Sequence, residues 1–99
     1  KDENESYSPV QKSYLIIAQE TLKTMNVVVD DFNIFFDEDN VEFNRYLEAN
    51  DIPELKNKEF QTLIFFPKTK SRREFQLGGE IWIFIDKVTK NVLHVHTGK

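Results

Sequence analysis

The chain contains no cysteine, and this excludes a disulfide framework, a thiolate zinc site and a cysteine nucleophile. Redox compartment stays open, since cysteine-free proteins occur everywhere. Glycine and proline are scarce, three of each in 99 residues, and no glycine loop of the kind that cradles phosphate is found, nor a Gly/Ser-rich linker. Long hydrophobic runs are missing as well. The longest, Tyr14–Ala18 and Ile81–Ile85, fall far below the roughly 18 apolar residues of a membrane-spanning helix. No nucleophile elbow, His-Glu-x-x-His motif, internal repeat or low-complexity tract occurs.

What is present points to one folded domain. Hydrophobic residues make up 39% of the chain, and nine Phe, three Tyr and one Trp supply large apolar surfaces, enough to outweigh a charged fraction of 30% and rule out disorder throughout. A chain of this length buries roughly 60–70% of its unfolded surface. The net charge of −4 is unevenly spread: residues 1–59 hold 14 acids against 6 bases, residues 60–99 hold 3 acids against 7 bases. We expect a polar tail over residues 1–7 and a single domain over 8–99.

Ser8-Pro9 offers an N-cap followed by proline at the first helical position. Val10, Tyr14, Ile17, Ala18, Thr21, Leu22 and Met25 then recur at three- and four-residue spacing, which predicts an amphipathic helix over about 9–26. Phe32–Phe36 predicts a short strand. Asp39 or Asn40 is placed to cap a second helix carrying Val41, Phe43, Tyr46 and Leu47, and Asp51-Ile52-Pro53 to cap one further turn. Phe60–Phe66 reads as a strand ended by Pro67, Glu80–Asp86 as a central strand apolar on both faces, and Val92–His96 as its hairpin partner. Helices first and strands afterwards predict an α+β fold. Its long N-terminal helix packs on a curved antiparallel sheet that ends in a three-stranded meander, and the curvature leaves a concave mouth for a ligand or partner.

Candidate chemistry is sparse. His94 and His96, two apart on a strand, offer imidazoles to one face, but no third metal ligand stands at convincing spacing. Asp37–Glu42 has the acids of a calcium loop without its turn glycine, and helix capping explains them better. Asp30, Asp31, Glu80 and Asp86 are candidate acid–base groups if buried and ordinary turn or edge acids if not. The basic stretch Lys68, Lys70, Arg72, Arg73 lacks interleaved aromatics in an acidic chain, so it reads as a solvated loop and not as a nucleic-acid contact. The acidic first half suits a basic protein partner, with ordinary solubility the competing explanation.

The segment from Gly78-Gly79 through Glu80–Ile85 and Asp86-Lys87-Val88-Thr89-Lys90-Asn91 to Gly98-Lys99 resembles the closing hairpin of a bacterial immunity-protein family with the nuclear transport factor two-like, or cystatin-like, fold. The likeness extends loosely over residues 10–99 and is weakest at 27–56. Lys90 and Asn91 stand where the family more usually has glycine, and Asn tolerates positive φ. The resemblance implies a protein that binds and occludes a cognate toxin, without catalysis or cofactor. On that view Asp30, Asp31, Asp37, Glu38, Asp39 and Glu42 are the expected partner surface. The same fold hosts ligand pockets and enzymes, and for that alternative Trp82, Phe84, Phe65 and Tyr14 are the expected pocket lining. The opening Lys1–Ser6 is similar to the sorting signal behind the lipidated cysteine of some bacterial lipoproteins, which implies the cell envelope; without it the cytoplasm is expected.

Overall fold

The computed structural model describes residues 7–47, 52–68 and 79–97. The expected tail residues 1–6, the basic residues Lys70, Arg72 and Arg73, and the Gly78 and Gly98-Lys99 elements of the hairpin pattern lie outside these.

The first helix, α1, spans Pro9–Thr24. Ser8 accepts from the Gln11 amide while the Gln11 side chain accepts from the Ser8 amide, a reciprocal capping box. Its C-terminus comes before residue 26 because Asn26 turns left-handed (φ 62°). The Asn26 and Val27 amides then bond back to the Lys23 and Leu22 carbonyls, a Schellman closure. Tyr7, expected in the tail, instead packs its ring 5.4 Å from that of Phe36, so the folded unit begins before Ser8.

Four strands follow: β1 (Phe32–Asp37), β2 (Phe60–Pro67), β3 (Ile81–Asp86) and β4 (Val92–Thr97). They form one antiparallel sheet in sequence order, so the expected three-stranded meander gains β1 as a fourth strand. A short helix, α2 (Val41–Tyr46), and a 3-10 turn at Pro53–Leu55 lie between β1 and β2. In the β3–β4 turn it is Lys90, not Asn91, that takes the left-handed position (φ 66°), and its ammonium sits 5.2 Å from the centre of the Tyr14 ring.

Because strand side chains alternate faces, the apolar β2 and β3 feed two cores at once. Leu63, Phe65, Ile81, Ile83 and Ile85 meet Leu15, Ala18 and Leu22 of α1. Phe60, Ile64, Phe66, Trp82 and Phe84 meet Phe43 of α2 together with Ile52 and Leu55. The sheet is therefore covered on both faces. The face opposite α1 is filled by an edge-to-face aromatic cluster of Phe43, Phe60 and Phe84, with centroids 5.4–5.8 Å apart.

Candidate functional site

The acids between β1 and α2 are organised by one buried carboxylate. Asp37, 2% exposed, accepts from the Glu42 amide at 2.9 Å and the Phe43 amide at 2.7 Å. It thereby satisfies two of the orphan donors at the α2 N-terminus. The residue at the formal cap, Asn40, makes no side-chain cap, and Asp39 makes none either, which corrects the expectation that one of them does so. The physical reason is backbone: Asp39 (φ 62°) and Asn40 (φ 56°) are both left-handed, so the turn curls away from the helix and Asp37 reaches beneath it.

This geometry sorts the six expected partner-surface acids. Glu38 and Asp39 are exposed on the turn, with Glu38 Oε2 accepting from the Gln11 side chain at 3.3 Å. Asp37 is committed to the cap and faces inward, so it does not belong to an exposed surface. Glu42 is half-buried and lies 3.9 Å from Arg45. Asp30 and Asp31 are exposed at the opposite end of β1; the intervening strand, at about 3.3 Å per residue, holds the two acidic groups roughly 20 Å apart. The acids form two poles of one edge strand and not a single patch.

The four residues expected to line a pocket do not share one. Trp82 and Phe84 stack with centroids 6.5 Å apart in the α2-side core, whereas Phe65 and Tyr14 belong to the α1-side core. The sheet itself separates them. Burial raises the Tyr14 pKa, and the nearby Glu38 and Asp86 carboxylates raise it further.

His94 and His96 do share a face, opposite Phe84 and Trp82 on β3. His94 Nδ1 lies 3.7 Å from Glu54 Oε1, and the His96 ring stands edge-on to Trp82 at 6.5 Å. Burial lowers the His96 pKa and the adjacent His94 lowers it further, with Glu80 opposing both. Glu80 is 8% exposed, and its Oε1 has no hydrogen-bond partner among the described residues. Among the described residues no group of three or more side chains is placed to hold a metal ion. Asp86, the last residue of β3, is buried, and its Oδ1 accepts from the Val88 and Thr89 amides of the following turn, which holds its pKa down.

Sequence reasoning missed the Glu54–His94 pairing, for which no local signal exists across forty positions. It read the Asp37–Glu42 acids as helix-capping but assigned the cap to Asp39 or Asn40, since the only trace of Asp37 in that role is an acid preceding two residues that tolerate positive φ. A shallow depression of about 320 Å³ at Lys23 and Val27–Asp30, beside one acidic pole, likewise had no sequence signal. No known protein family, curated protein or solved structure matches the chain. No helix among the described residues is long and apolar enough to cross a membrane.

Proposed function

We propose that this protein is an immunity-type binding protein that neutralises a cognate bacterial toxin by occluding it, without catalysis and without a cofactor. One observation carries the reading. The Glu38–Asn40 turn, left-handed at Asp39 and Asn40, sits over the buried Asp37 carboxylate that accepts from the first amides of α2, so the Glu38 and Asp39 side chains are displayed on a fixed support. Two exposed carboxylates on such a support suit a basic protein surface, speeding encounter and selecting the partner. The resemblance of the terminal hairpin to immunity proteins supplies the class of partner.

The test is capture of the tagged chain by the product of the neighbouring reading frame, with a Glu38→Ala/Asp39→Ala double variant as comparison. A one-to-one complex whose association slows about tenfold in the variant at low salt is expected. Absence of a complex with folded protein refutes the reading. A second reading, a small-molecule module of the same architecture, is favoured by a specific feature: the buried, unpartnered Glu80 oxygen on the face shared with His96 and Trp82. A metabolite retained through purification and lost in Glu80→Gln supports that alternative.

A further inference from the structure

We infer that the free edge of β1 is a docking line for an extended strand of the protein partner, one that carries basic residues at both of its ends. The inference rests on the partner-binding reading above and specifies its geometry.

The ladder identifies which backbone groups are free. The Asp31 carbonyl accepts from the Lys68 amide, and the register continues through Asn33 opposite Phe66 and Phe35 opposite Ile64. Alternation in an antiparallel pair therefore turns the peptide groups of Phe32, Ile34 and Phe36 away from β2. Pro67 stands opposite Phe32 at a non-hydrogen-bonded pair, where its missing amide hydrogen costs the β1–β2 ladder nothing. The Phe32 amide bends back to the Val29 carbonyl. Among the described residues, no strand other than β2 pairs with β1, which leaves the Ile34 and Phe36 amides and carbonyls as an unfilled ladder. The opposite edge of the sheet is less receptive, since β4 carries a register shift opposite Phe84/Ile85 and a bulge of this kind interrupts further pairing.

Charge selects the occupant. Asp30 and Asp31 stand before the strand and Glu38 and Asp39 after it, all four exposed. Lys68, beside Asp31, offsets part of one pole only. A second copy of this chain pairing β1 to β1 would set acids against acids at both ends in either orientation, which disfavours it. A strand with Lys or Arg at both ends meets opposite charge in either orientation, and its backbone completes the ladder.

The probe is the full chain with a blocked nonapeptide, Lys-Arg-Thr-Val-Thr-Val-Thr-Lys-Arg, followed by amide hydrogen exchange. Two controls are used: one with Glu in place of every base, and one with Pro in place of both Val, which keeps the charge and blocks strand pairing. The basic strand is expected to slow exchange at Ile34 and Phe36 at least tenfold, with neither control doing so. Equal binding by the basic strand and its Pro analogue, with Ile34 and Phe36 unprotected, overturns edge pairing and leaves the partner-binding reading intact. No binding by the basic strand also overturns the inference. Failure of toxin capture, measured separately, is what refutes the broader reading.

Discussion

Replacing Asp37 by Ala is the sharpest test of how the acidic turn is built. The substitution removes the acceptor for two amides at the start of α2, one of them buried. Loss of a carboxylate cap costs about 1–2 kcal/mol, and stranding the buried Phe43 amide without a partner adds about 1–3 kcal/mol. A total near 3 kcal/mol follows. With a urea slope of about 1.5 kcal/mol/M the unfolding midpoint falls by about 2 M, and the thermal midpoint by roughly 12–24 °C. Asp37→Asn, which keeps one acceptor oxygen, is expected to lose about half as much. Urea unfolding at neutral pH, followed by tryptophan fluorescence from Trp82, reads both values. A shift below about 0.5 kcal/mol for the alanine variant would refute the claim that this carboxylate holds the turn, and with it the argument that Glu38 and Asp39 are rigidly displayed.

The remaining expectations use the same unfolding measurements. Thr62→Val removes a buried hydroxyl that has no hydrogen-bond partner among the described residues and should stabilise the fold by about 1 kcal/mol; destabilisation would show that the hydroxyl is satisfied. Asp39→Gly relieves a left-handed non-glycine residue and should raise stability by about 1 kcal/mol, whereas Asp39→Ala should lower it. Leu22→Ala empties a fully buried position under α1 and should cost about 2–5 kcal/mol. The His96 pKa lies below its ordinary value, so the unfolded chain binds more protons as pH falls through about 6.5 and stability declines there. His96→Gln should flatten the pH 5–7 portion of the stability curve, and an unchanged slope would count against burial of that imidazole.

Local elements were legible where one physical signal dominates. Ser8-Pro9 and the spacing of Tyr14, Ala18 and Leu22 predict α1 because capping and periodicity agree. The unbroken apolar run Ile81–Ile85 predicts a central strand apolar on both faces with a helix over one of them; α1 covers one face, and Phe43, Ile52 and Leu55 cover the other as well. The failures share a cause: they concern relations between distant segments. Each strand's alternation is readable, but the register that sets Ile64 beside Trp82 and Phe65 beside Ile81 is not. A shift of one residue exchanges the faces, and this is why a pocket drawn from Trp82, Phe84, Phe65 and Tyr14 mixed two cores. The Asp37 cap escaped for a similar reason, since it depends on the left-handed backbone at Asp39 and Asn40, a conformation these residues tolerate without requiring it.

Burial of β2 and β3 on both faces carries a liability before the chain has folded. Phe60–Phe66 and Ile81–Ile85 are short, aromatic and β-branched segments almost free of charge, the composition that stacks into intermolecular cross-β assemblies when left unprotected. Their flanks are guarded: Lys58, Glu59, Pro67 and Lys68 bracket the first, and Glu80, Asp86 and Lys87 the second. The order of synthesis helps in the same direction, because α1 and Phe43 emerge from the ribosome before either segment and are ready to cover it. Deleting or weakening α1 should therefore send the protein into inclusion bodies instead of yielding a soluble, loosened domain.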